Sequence, residues 1–141
     1  KWISFRLNDG VYKGKRLISL AAIDEIRKPR LRMAFERIGA PNSFLHPRAH
    51  LIDVGYGQWS FEHHGRIVIV HNGGWMSSVV AVLPDEDIGI GIFSNAWFYE
   101  YTPWDSLAFV NAVVLNAIDH YLGYEYVDWA HEMLEIVKKS K

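Results

Sequence analysis

The stretch Val68-Ile69-Val70-His71-Asn72-Gly73-Gly74-Trp75 puts an imidazole, an amide and two glycines at the end of a β-branched run. A strand end has free backbone N–H groups that can hold a developing oxyanion, and a titratable ring beside them can hold or move a proton. Two adjacent glycines remove side chains where another group must come close to the backbone. In isolation, His-x-Gly-Gly is a Gly-Gly turn beside a surface histidine. What surrounds it gives the chemical reading its weight.

The elements that must position this motif follow from periodicity. Trp59 and Phe61 alternate with Gln58 and Ser60, which predicts a strand with one buried face. His63-His64-Gly65-Arg66 predicts a tight hairpin turn. The return strand puts Ile67, Ile69 and His71 on one face and Val68, Val70 and Asn72 on the other. Ser78 to Leu83 is apolar on both faces, as in a central strand. Pro84-Asp85-Glu86-Asp87 is an acidic turn. In Ile88-Gly89-Ile90-Gly91-Ile92 the glycines share one face, so a bulky element is expected flat against it, and the following helix is the candidate.

Helices flank these strands. Trp2, Ile3, Phe5 and Leu7 have helical spacing before the stop signal Asn8-Asp9-Gly10. Residues 12–18 read as a short extended or turn segment. Ser19 is placed to cap a helix with Leu20, Ile23 and Ile26 on its apolar stripe, ended by Pro29. Residues 30–50, with scattered charges and the loop signals Pro41-Asn42-Ser43 and His46-Pro47, read as a connecting excursion. Thr102-Pro103, with Asp105 at the capping-box position, starts a helix with Leu107, Val110, Val113, Val114, Ala117, Ile118 and Tyr121 inward and Gly123 as stop. A last helix starts near Asp128, with Trp129, Met133, Ile136 and Val137 inward. The order is helices, about four antiparallel strands, then helices. That is an α+β fold with helices packed on a sheet.

Composition narrows the function classes. Fifteen Lys and Arg against 16 Asp and Glu leave a net charge of −1, so no basic field exists to attract nucleic acid. There are no cysteines, which excludes disulfides and thiolate metal sites. No apolar run reaches the roughly 18 residues of a spanning helix, and no signal peptide is visible. The chain opens at Lys1 inside a helical pattern, as though cut from something longer.

Gly14-Lys15-Arg16-Leu17-Ile18-Ser19 before a helix, Tyr56-Gly57-x-Trp59, His71-Asn72-Gly73-Gly74, Leu83-Pro84-Asp85-x-Asp87-Ile88-Gly89 and Ser94-Asn95 occur in that order. The ordered set resembles the C-terminal part of the serine β-lactamase and penicillin-binding-protein-like hydrolases, in the branch of class C-like esterases, D-aminopeptidases and related peptidases. It covers nearly the whole chain. That family builds its site from Ser-x-x-Lys, a second motif, and Lys-Thr-Gly. In the class C-like branch the second is commonly Tyr-x-Asn, and the third often carries His. His71-Asn72-Gly73 matches the third motif in its His form, with Asn72 keeping hydrogen-bonding capacity but lacking the usual hydroxyl. Neither Ser-x-x-Lys nor Tyr-x-Asn occurs here.

The resemblance implies that residues 1–141 are the C-terminal segment of one catalytic domain, with the nucleophile-bearing half upstream. It implies acyl-enzyme hydrolysis of peptide amides, small esters or β-lactams, without cofactor or metal. His71 would face the cleft and hold the proton network or a substrate carboxylate. Gly73 would admit the nucleophile's helix, and the Gly74 N–H would be one oxyanion donor. Trp75 would rim the cleft. Asn95 and the run Trp97-Phe98-Tyr99 would lie near the substrate edge, where the same residues also suit a loop that packs on itself. The implied partners are a small-molecule or peptide substrate, the missing half of the domain and a second copy of the chain. Two other readings stand beside this one. His46, His50, His63, His64 and His71 could form a metal site, although Pro47 spoils a helical ligand pair and no carboxylate stands at ligand spacing. The chain could also be a hydrolase-like binding module without chemistry.

Overall fold

The computed structural model describes residues 1–33, 50–73, 78–94 and 103–139. They form two compact units, one from residues 1–33, 50–71 and 80–91, the other from 72–73, 78–79, 92–94 and 103–139. Helices and antiparallel sheets make the fold α+β. No helix among the described residues is long and apolar enough to cross a membrane.

The first unit begins with helix α1 (Trp2–Leu7), stopped by Asp9 and Gly10, both at positive φ. Strands β1 (Val11–Tyr12) and β2 (Lys15–Arg16) form a hairpin whose two loop residues, Lys13 and Gly14, have φ of 50° and 75°. That is the type I′ sign pattern, which matches strand twist. Helix α2 (Leu20–Arg27) starts where expected, with the Ser19 hydroxyl accepting from the Ala22 N–H. It ends at Lys28, which is extended because a residue before proline is pushed out of the helical region. Ile23 is buried, but Leu20 is 51% exposed, so the expected stripe is narrower than its sequence spacing.

Six strands follow in one sheet, β3 (Leu31–Met33), β4 (His50–Val54), β5 (Trp59–His63), β6 (Arg66–Gly73), β7 (Ser78–Leu83) and β8 (Ile88–Ile92), each beside its neighbours in sequence. About four were expected. The two additional ones lie at the ends of the stretch read as an excursion. β3 has three residues, too few for a period of two to show, and it is held by pairing Leu31 with Val54 and Met33 with Ile52. The β5–β6 turn is His64-Gly65, at φ of 51° and 76°. β7 is buried along most of its length, as a strand with neighbours on both sides should be.

At Gly89 the glycine side of β8 is approached closely by an element from the start of the chain. A Cβ on Gly89 would collide with Ile3 and meet Leu7, both on α1. Sequence reading named only the following helix for this surface and did not foresee the contact that α1 makes at Gly89.

The second unit holds α3 (Pro103–Leu122) and α4 (Trp129–Lys139). Gly123, at φ +72°, ends α3 as expected. The Asp128 carboxylate accepts from the His131 N–H and caps α4. The buried side of α3 is rotated from the expected stripe. Val110, Val114 and Ile118 are buried, and so are Asn111, Leu115 and Asp119, whereas Tyr121 is 73% exposed. The two buried polar residues have partners. Asn111 accepts from Asn72, and Asp119 accepts from the Trp129 indole N–H at 2.6 Å. A satisfied polar group can sit inside a helix face that an apolar count places elsewhere. Trp129 and Met133 are each 1% exposed, as expected for the inner face of α4.

Candidate functional site

Antiparallel pairing of β5 and β6 sets Trp59 opposite Val70. The residues just before Trp59 therefore lie alongside His71. The His71 Nδ1 is 2.6 Å from the Gly57 carbonyl oxygen, and the ring is exposed. A carbonyl only accepts, so Nδ1 carries the proton and donates it to Gly57. In the neutral ring, Nε2 is then the nitrogen with the free lone pair. Gly57 has φ of +62°, a conformation that suits glycine and aims its carbonyl at the ring.

Alternation along β6 sets His71 and Gly73 on one face and Asn72 on the other. In the second unit the Asn72 side-chain amide donates to Asn111 Oδ1 at 3.0 Å, which ties the strand end to α3. The hydrogen-bonding capacity that Asn72 keeps in place of the usual hydroxyl is thus used, in part, within the chain. Gly73 does permit a close approach. A Cβ there would stand 2.6 Å from the Ser78 hydroxyl on β7. The group that uses this space among the described residues is a neighbouring strand's side chain.

This contact yields a check. Gly73→Ala is expected to destabilise the protein by about 0.5–1.5 kcal/mol, because the Ser78 hydroxyl must turn away from its present position. Ser78→Ala in the same chain should restore most of the loss, because the colliding oxygen is gone. Chemical denaturation of the two single variants and the double variant measures this; a double variant no more stable than Gly73→Ala would refute the contact.

Gly74, Trp75 and Asn95 lie outside the described residues, as do Trp97, Phe98, Tyr99 and His46. His50 pairs in register with Glu62, and the His63 and His64 rings meet edge to face with centroids 4.3 Å apart. Sequence reading missed Gly57 as the acceptor for His71, because a backbone carbonyl has no residue-type signal. It also missed Asn111, which lay on a helix read for its apolar stripe. No family model, curated protein or solved structure matches the chain.

Proposed function

We propose that this chain is the sheet-bearing segment of a serine hydrolase working through an acyl-enzyme. Its substrates are peptide amides, esters or β-lactams, and His71 is the proton-handling group at the site's edge. One observation supports this reading above others: an exposed imidazole at a strand end, with Nδ1 bound to the Gly57 carbonyl and Nε2 left for a reacting group. A side chain fixed through one ring nitrogen and open at the other is arranged as a general base or acid requires. In the reaction a serine oxygen attacks the substrate carbonyl and its proton passes to a base. The tetrahedral oxyanion collapses with loss of the amine or alcohol, and water then releases the acid.

The sequence holds no Ser-x-x-Lys, so the nucleophile belongs to another segment. The test is covalent labelling by a fluorescent penicillin and by an activated ester, followed by mass spectrometry. The chain alone is expected to take no label on any of its serines. Joined to a segment bearing Ser-x-x-Lys, the protein is expected to label on that serine and turn over the ester. A stable acyl adduct on a serine of this chain, or no turnover in the joined protein, would overturn the proposal.

A further inference from the structure

Four cations lie around the ends of α1 and α2: Arg6, Arg27, Lys28 and Arg30. Three of them have carboxylates. Arg27 Nη1 is 2.7 Å from Asp9 Oδ1, Lys28 Nζ is 2.9 Å from Glu25 Oε2, and Arg30 pairs with Glu25 as well. Arg6 has none among the described residues. Its Nη2 donates instead to the amide oxygen of Gln58, at 2.5 Å. Gln58 is 5% exposed, and its Nε2 donates to the Ile26 carbonyl at 2.8 Å, which fixes its oxygen toward the guanidinium. The remaining N–H groups of Arg6 have no acceptor among the described residues.

A partly buried cation with only a neutral partner is an unfavourable arrangement unless a counter-charge arrives. Burial, and secondarily the neighbouring Arg27, push the Arg6 guanidinium below its ordinary pKa. Both effects are relieved by an anion. The planar guanidinium fork binds carboxylate and phosphate through paired hydrogen bonds better than an ammonium does. We infer that Arg6, held by Gln58, is a binding site for a small oxyanion, a carboxylate or a phosphate. The site is independent of the hydrolase reading.

The test is a nuclear magnetic resonance titration of the isotope-labelled chain with sodium acetate and, separately, inorganic phosphate. Ionic strength is held constant with chloride, and the Arg6 Nε–H and Gln58 side-chain amide signals are followed. Saturable shifts are expected with at least one anion. Response to acetate alone identifies a carboxylate site, and response to phosphate alone a phosphate site. Arg6→Gln is expected to weaken binding by about tenfold or more. Gln58→Glu places a carboxylate beside Arg6 at the cost of the hydrogen bond to the Ile26 carbonyl, and is expected to abolish the response, with circular dichroism checking that the fold is retained. Absence of saturable shifts with both anions, or an unchanged titration in either variant, would overturn the site.

Discussion

Trp129→Ala is expected to destabilise the protein by roughly 3–5 kcal/mol, the range for removing a large buried aromatic side chain. Trp129 is 1% exposed and is the largest of the fully buried side chains among the described residues. The loss has two parts. One is the cavity left between α3 and α4, which close-packed neighbours fill only in part. The other is electrostatic, because Asp119, 3% exposed, loses the indole donor 2.6 Å away. Trp129→Phe separates them. It keeps most of the ring volume and removes only the N–H, so a smaller loss of about 1–3 kcal/mol is expected. Urea denaturation followed by circular dichroism measures both. A loss below 1 kcal/mol for the alanine variant would mean that Trp129 does not anchor this helix pair.

His71→Ala is expected to lower the ester turnover of the joined protein by about 10²–10⁴, the usual contribution of a positioned acid–base group. In barrier terms that is roughly 2.7–5.5 kcal/mol. Stability should barely move, because the ring is exposed and such substitutions usually stay within about 0.5 kcal/mol. The combination distinguishes chemistry from architecture. His71→Gln sharpens it, since an amide can still donate to the Gly57 carbonyl but cannot shuttle a proton. It should be as inactive as the alanine variant. Turnover that survives either substitution would remove His71 from the reaction, and a collapse in melting temperature would recast it as a structural residue.

The sequence carried the fold wherever a single local rule was sufficient. Ser19 was legible as a cap because its hydroxyl reaches a neighbour only three residues away. Gly123 was legible as a stop because one residue at positive φ ends a helix. The strand from Arg66 was legible because eight residues give alternation room to show. Features that depend on distant residues were harder to read. β3 is a strand only because residues 52–54 pair with it. The inner side of α3 includes Asn111 and Asp119 because Asn72 and Trp129 supply their hydrogen bonds. At the candidate site His71 stood out by residue type. Its partner, the Gly57 carbonyl, did not, because every residue has one.

The seating of α1 against Gly89 has a consequence for how the chain acquires its structure. During synthesis residue 3 leaves the ribosome well before residue 89 is made. A helix of six residues is far below the roughly 12–15 that persist alone in water. Until the final strand of the sheet is in place, Ile3 and Leu7 have no glycine-lined seat to occupy. Although α1 precedes the sheet in the chain, it is therefore among the last elements of the first unit to settle.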